Sequence, residues 1–343
     1  MLLTGHTGFK GGWLALWLRE LGAHVHGYSL PANTEPAFWD VAALAGRVPG
    51  TLADIRDVQR LTEALNAVRP EIVLHLAAQP LVRESYRTPL DTYTTNVIGT
   101  VNLLEAARQC ESVRAVLVVT SDKCYDNREW LWPYREQDAL GGHDPYSSSK
   151  ACVEVLCTSW RESFLRESGI ALATARAGNV IGGGDWSGDR LVPDILRAWQ
   201  AGESLTLRYP QAIRPWQHVL EPLQGYLHLA QALVERGDAV ASAWNFGPDA
   251  EGVATVGELV EQLARLWPGD AHWQVDAAGQ PHEAGLLSLD SSKAHRQLGW
   301  RPRWTLAQAL EQTLDWHRAW HAGQDMHAFS RAQIAAYQGG THE

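Results

Sequence analysis

Apolar positions fall into two textures along this chain. Short runs free of charge and rich in β-branched residues, Ala115–Val119 (AVLVV) and residues 72–78 (IVLHLAA), read as strands buried on both faces. Residues 24–29 and 171–177 read the same way. Residues 1–4 supply a short first strand, and Asp54–Ile55 closes a third. Between the strands, apolar residues recur at helical spacing: Trp13, Leu14, Trp17, Leu18 and Leu21, then residues 57–68 up to Pro70, then 89–110 and 145–167. Regular alternation of strand and helix predicts a parallel sheet covered on both faces.

The texture loosens at Gly178. A glycine-rich loop (GNVIGGGDW) is followed by a helix over 191–201, a strand over 205–207 and a loop, AIRPWQHV, from Ala212. Helices over 222–236 and 256–267 come next. The fold class is therefore α/β: a Rossmann-type doubly wound parallel sheet with a smaller, mixed C-terminal lobe. The expected division is 1–177 for the sheet domain and 178–343 mainly for the lobe, with about 212–250 returning to the first domain.

A net charge of -10 with no basic stripe argues against a nucleic-acid partner. No stretch is long and apolar enough to predict a membrane span, and no signal-peptide pattern opens the chain. Four cysteines without CxxC spacing suit a reducing cytoplasm. His317 and His321 have metal-ligand spacing on a helix but no evident third ligand, so no metal is expected. The 16 Trp read as packing.

Gly5, Gly8 and Gly11 stand where the first strand turns into the first helix. Glycines there let backbone approach a pyrophosphate, which rests on the helix N-terminus. The cofactor contacts expected from this turn are Gly5, Thr7, Gly8, Phe9, Lys10 and Gly11. Asp54 and Ile55 follow near the adenine, and the strand end Leu76, Ala77 and Ala78 should lie along the dinucleotide. The second strand ends in Ser29-Leu30-Pro31, with neither the usual ribose-binding acid nor a nearby Arg or Lys for a 2′-phosphate. NAD is favoured over NADP.

The strand Ala115–Val119 runs into Ser121, Asp122 and Lys123, and the helix after it opens with Tyr146 and Lys150, one turn apart. A polar cluster beyond the carboxyl end of such a strand points to chemistry. A tyrosine beside an ammonium and the positive nicotinamide ring can take a proton from an alcohol while hydride leaves for NAD. Singly, the glycine spacing and the Tyr–Lys pair are common. Their conjunction resembles the extended short-chain dehydrogenase/reductase family, over nearly the whole chain including the C-terminal SSKAHRQLGWRPRWTLAQALEQTLDW.

Within that family, an acid–base pair directly after the hydroxyl resembles the nucleotide-sugar 4,6-dehydratases. Asp-Lys in place of Asp-Glu, with TGHTGFKG, SDKCYDN, GGHDPYSSSK, AGNVIGGGDW and IRPWQHVLEPL, looks like their CDP-glucose branch. The resemblance implies that Tyr146 deprotonates the 4-hydroxyl, Lys123 removes the C5 proton and Asp122 protonates the departing 6-hydroxyl. The alternative is that Lys123 stays charged and stabilises the enolate. Arg214 is the expected diphosphate partner, with Asn179 and Arg190 behind it and Arg83 and His218 as weaker candidates. The resemblance also implies a homodimer or homotetramer, a cytoplasmic setting and a place in deoxysugar and lipopolysaccharide synthesis. The competing readings are a dTDP-, GDP- or UDP-sugar dehydratase or 4-epimerase, and a non-catalytic dinucleotide sensor.

Overall fold

The computed structural model describes residues 1–249, 252–276 and 285–339. Residue 250, the far end of the expected returning segment, and residues 340–343 of the expected lobe lie outside that set. The strands are β1 (Leu2–Thr4), β2 (His26–Ser29), β3 (Gly50–Leu52), β4 (Ile72–His75), β5 (Ala115–Val119), β6 (Ala171–Ala177), β7 (Asn179–Ile181), β8 (Leu205–Leu207), β9 (Ile213–His218), β10 (Ala243–Phe246), β11 (Val253–Thr255) and β12 (Trp273–Val275).

Seven of them form one parallel sheet in the order β10-β6-β5-β4-β1-β2-β3. The uncharged runs lie at its centre because helices bury both faces. Leu117 and Val119 face a core with Trp13, Trp17 and Trp244, while Val116 and Val118 face Leu61, Leu65 and Leu103. The chain reverses its winding between β4 and β1, and a crevice opens above their carboxyl ends, as such sheets dictate.

Several boundaries differ from the pattern-based ones. β3 stops at Leu52, so Asp54 and Ile55 lie in the loop beyond it. β4 stops at His75, leaving Leu76–Ala78 as an irregular segment under the crevice. Residues 212–219 are not a loop: β9 is the middle strand of a second sheet, β11-β9-β7. Pro215 and the polar Arg214, Gln217 and His218 hide it, because they break the alternation that marks a half-buried strand. β10, too short to announce itself, pairs with β6 and extends the main sheet.

The helix Pro145–Trp160 starts where its sequence says it should. Asp144 caps it by accepting from the Ser147 backbone N–H at 2.9 Å, and Pro145 takes the first helical position. Residues 89–109 form one helical run in which Thr94–Ile98 is wound as a π turn, the mark of one extra residue in an α-helix. Within it Asn96 is buried. Its amide donates to Ser149 Oγ at 2.9 Å and to the Gln79 carbonyl at 3.1 Å, and its Oδ1 accepts from the Gln79 N–H.

Candidate active site

One cleft of about 1230 Å³ runs across the carboxyl ends of β1, β4 and β5 and on to β7, β8 and β9. A single drug-sized ligand occupies roughly 300–1,000 Å³, so this cleft suits a longer or a double occupant. Its floor at one end is the glycine turn. Gly5 has φ +73°, and a Cβ on Gly11 would lie 2.0 Å from the Gly5 carbonyl oxygen. Only backbone fits there, which is the shape a pyrophosphate requires. Gly8 begins the helix Phe9–Glu20 beside the cleft with no side-chain cap, which leaves the first helical N–H groups without an intrahelical acceptor.

Thr7, Phe9 and Lys10 line the same wall, as do Leu76, Ala77 and Ala78. Thr4 Oγ1 accepts from the Leu76 and Ala77 N–H groups, each at 3.1 Å, which holds that segment against the turn. Burial pushes the Lys10 ammonium down to about 7; Arg190 acts in the same direction and Asp122 opposes it. Where β2 ends, Ser29 and Thr7 share a 2.9 Å hydroxyl contact. Asp54 and Ile55 also line the cleft. Asp54 binds Arg56 through both carboxylate oxygens, and this holds its acid below the usual range. Arg56 also meets Asp91 at 2.5 Å, so its charge is matched by two carboxylates and does not favour a 2′-phosphate. These features fit NAD.

Past β5 the five expected catalytic side chains converge on the cleft: Ser121, Asp122, Lys123, Tyr146 and Lys150. Ser121 Oγ accepts from the Lys123 N–H at 3.2 Å, capping the short turn Asp122–Cys124, and donates to Asp122 Oδ1 at 3.0 Å. Asp122 Oδ2 is buried and has no hydrogen-bond partner among the described residues. Burial raises the Asp122 carboxyl above its ordinary range despite Lys123, Ser121, Arg214 and Lys10, so it retains a proton more readily than a surface aspartate.

Tyr146 and Lys150 differ from expectation in one respect. Burial pushes the Tyr146 phenol up to about 12, and the strongest opposing influence is Ser121, not Lys150. The Lys150 amine is anchored on the Val119 carbonyl at 3.1 Å, and burial brings it down to about 8. The protein's own groups therefore keep the phenol protonated at neutral pH. A phenolate needs a further positive charge beside it.

Of the substrate candidates, Arg83, Asn179, Arg190 and Arg214 line the cleft. Arg214, on β9, is buried and donates to the Ile213 carbonyl at 2.9 Å. Arg190 lies 3.9 Å from Asp185, and its Nε is buried without a hydrogen-bond partner among the described residues. Arg83 binds Asp189 at 3.2 Å across the mouth. His218 is a correction. It points into an aromatic cluster with Trp13 and Trp304, fully buried, and forms no part of the cleft wall. It sits at the end of β9, four residues from Arg214, and alternation sends the two to the same face but not to the same surroundings. His317 and His321 contact each other at 3.1 Å through their Nε2 atoms.

Sequence reading missed two groups. Asn96, inside the π turn, ties the Gln79 segment to the helix bearing Tyr146 and Lys150. Glu154, one turn beyond Lys150, receives Arg176 beneath the site. The spacing of Glu154 from Lys150 was legible; Arg176 lies in β6, far from both in sequence, and nothing local pairs it with Glu154.

A CDP-glucose 4,6-dehydratase from Salmonella typhimurium is 50% identical, over 99% of this chain and 96% of its own length. A dTDP-glucose 4,6-dehydratase from Haemophilus influenzae is 28% identical, over 92% of this chain and 97% of its own. Among solved structures, a dTDP-glucose 4,6-dehydratase from Streptomyces venezuelae, with NAD and TYD bound, superposes with a TM-score of 0.80 at 24% identity, over 94% of this chain and 98% of its own. A UDP-glucose 4-epimerase from Thermotoga maritima superposes equally well, with a TM-score of 0.80 at 24% identity, over 93% and 99% of the two chains. These two share the fold. The model of a family described as GDP-mannose 4,6 dehydratase matches residues 2–313, and the chain belongs to that family of nucleotide-sugar dehydratases.

Proposed function

We propose that the protein is a CDP-D-glucose 4,6-dehydratase, converting CDP-D-glucose to CDP-4-dehydro-6-deoxy-D-glucose and water with NAD held in the cleft. The observation that carries this is Asp122 with Lys123, placed beside Ser121, Tyr146 and Lys150 in one cleft. The 50% identical relative supports the choice of nucleotide.

Bound NAD would supply a reversible hydride acceptor beside the sugar and a positive ring that favours the Tyr146 phenolate. Gly5, Gly8 and Gly11 would hold its pyrophosphate, and Leu76, Ala77 and Ala78, which line the same cleft, would lie along it. Tyr146 removes the proton of the 4-hydroxyl, with Ser121 holding the same oxygen. The 4-ketone acidifies the C5 hydrogen, which Lys123 removes. Asp122, kept protonated by burial, delivers its proton from Oδ2 to the departing 6-hydroxyl. Lys123 then returns a proton to C5. Net redox is zero, so the cofactor has no need to leave. Arg214 and Arg190 bind the diphosphate, a role suited to the guanidinium fork.

Residues 1–177 are read as the NAD-binding domain and 178–343 mainly as the sugar-nucleotide lobe. The return of β10 to the main sheet supports assigning 212–250 back to the first. Tyr86, Leu90 and Val155, exposed on the helices, support a homodimer or homotetramer, to be read by sedimentation. No helix among the described residues is long and apolar enough to cross a membrane; a cytoplasmic place in deoxysugar and lipopolysaccharide synthesis is the setting we assign. Incubation with CDP-, dTDP-, UDP- and GDP-glucose, scored for a 4-keto sugar, tests the function. Turnover of dTDP-glucose but not CDP-glucose would overturn it, and no turnover at all would favour a dinucleotide sensor.

A further inference from the structure

Beneath the cleft lies a buried ion pair that the mechanism does not use. Glu154 and Arg176 are 2% and 2% exposed. Arg176 grips Glu154 twice, at 2.9 Å through Nε and 2.8 Å through Nη2. The remaining acceptor positions of Glu154 are taken by the Thr120 hydroxyl at 2.5 Å and the Thr174 hydroxyl at 2.7 Å. The other arm of Arg176 donates to the Tyr125 hydroxyl at 2.7 Å, which in turn donates to Asn245 Oδ1 at 2.7 Å. Asn245 closes the set by donating to the Tyr134 carbonyl at 2.8 Å.

The anchor points matter more than the pair. Thr120 immediately precedes Ser121, and Tyr125 follows the turn Asp122–Cys124, so the network clasps the catalytic turn at both ends. Glu154 lies one helical turn after Lys150, which lies one turn after Tyr146, so it also holds the helix that presents them. We propose that the Glu154–Arg176 pair is a positioning device for the dehydration chemistry, fixing the turn Ser121–Lys123 and the helix bearing Tyr146 and Lys150 in one mutual register. A buried pair of this kind adds little stability compared with well-packed apolar residues, so its value lies in geometry and field.

The field has a direction. Burial alone would raise the Glu154 acid, but the bonds from Arg176 outweigh it and keep the carboxylate ionised. That charge is the main influence opposing the burial of the Lys150 ammonium, with Cys157 and Cys124 behind it. From other elements, Lys10 and His75 also couple to Lys150. Removing the Glu154 charge therefore makes Lys150 lose its proton at lower pH.

The inference rests on the proposed reaction only in using Tyr146 and Lys150 for hydride chemistry. The nucleotide sugar that the wild-type protein turns over is identified first and used throughout, which separates failure of the substrate assignment from failure of this proposal. Glu154→Gln is expected to lower kcat about tenfold or more while KM stays within about threefold, as misplaced reacting groups do. The alkaline limb of its kcat profile should move to lower pH by about one unit. Thr120→Val cuts one anchor and leaves the ion pair, so it should lower kcat without moving that limb, and Thr120→Ser should restore kcat. A folded Glu154→Gln variant with wild-type kcat and an unmoved alkaline limb overturns the proposal. Should Glu154→Gln fail to fold, Thr120→Val decides: a kcat loss rescued by Ser supports positioning, and wild-type kcat overturns it.

Discussion

Replacing Asp122 by Asn tests the division of labour in the cleft. The amide keeps the size of the carboxylate and can still accept from Ser121 at Oδ1, so the turn Asp122–Cys124 should hold its shape. It cannot deliver a proton from the position of Oδ2, which has no hydrogen-bond partner among the described residues. General-acid catalysis is worth about 10²–10⁴ in rate, or roughly 3–5 kcal/mol at 1.36 kcal/mol per decade. Overall turnover should fall by that factor, whereas removal of hydride from C4 should survive, because Tyr146, Ser121 and Lys150 are untouched. Rapid mixing of the NAD-loaded variant with CDP-glucose should show reduced nicotinamide accumulating in the near ultraviolet, and solvent deuterium should enter C5. The stability sign is also fixed. Burial raises the folded carboxyl above its unfolded value, so its ionisation costs stability that is progressively lost as pH rises through that range. The variant's melting temperature at neutral pH should hold or rise. Dehydration within about tenfold of wild type would refute the acid role. Loss of C4 oxidation together with elimination would show that Asp122 acts by orienting Ser121.

Lys123→Met should retain C4 oxidation and lose exchange of the C5 hydrogen with solvent; exchange at the wild-type rate would remove Lys123 as the base. Gly11→Ala must push a methyl into the Gly5 carbonyl, at an expected cost of about 1–3 kcal/mol and a large loss of NAD affinity, read by thermal melts and by fluorescence titration. NAD binding unchanged in that variant would show that the turn is not the pyrophosphate cradle. Arg214→Ala should raise KM for the nucleotide sugar about tenfold or more, the value of a charge-assisted contact, and leave NAD binding intact. Glu221, fully buried against Tyr337, is pushed up to about 7 by burial. It thus binds its proton more tightly in the folded chain than at its ordinary 4.5. Stability should decline by roughly 3 kcal/mol as pH rises between those values, at 1.36 kcal/mol per unit. Glu221→Gln should flatten that slope in melts across pH 4 to 8, and an unchanged slope would point to another group.

The central sheet was readable because its strands are buried on both faces, which leaves uncharged runs such as Ala115–Val119 that nothing else explains. The site was readable for a different reason: Ser121, Asp122 and Lys123 follow such a strand, and a polar cluster there has few structural uses. β9 was not readable, since Pro215 and three polar residues erase its period. Its partners, β7 and β11, are distant in sequence, and pairing over such distances leaves no local trace. His218 was misplaced because spacing from Arg214 tells which face a residue takes but not what covers that face. The burial that raises the Tyr146 phenol in the absence of cofactor was not readable for a related reason. Neighbours can be counted from a motif, but the depth of burial that outweighs them cannot.

The π turn at Thr94–Ile98 makes the length of that helix a setting of angle. Each residue of an α-helix turns the chain by about 100° and each residue of a π turn by less, so deleting Thr94 or Thr95 would restore ordinary winding and turn Asn96 relative to Gly99–Gln109 while the flanking faces stay nearly aligned. Asn96 would swing away from Gln79 and Ser149, and the segment Leu76–Gln79 would lose its tie to the helix of Tyr146 and Lys150. A single-residue deletion more than twenty positions from any reacting group would thus act as a misalignment of the cofactor floor, whereas substitutions of its exposed residues would pass unnoticed.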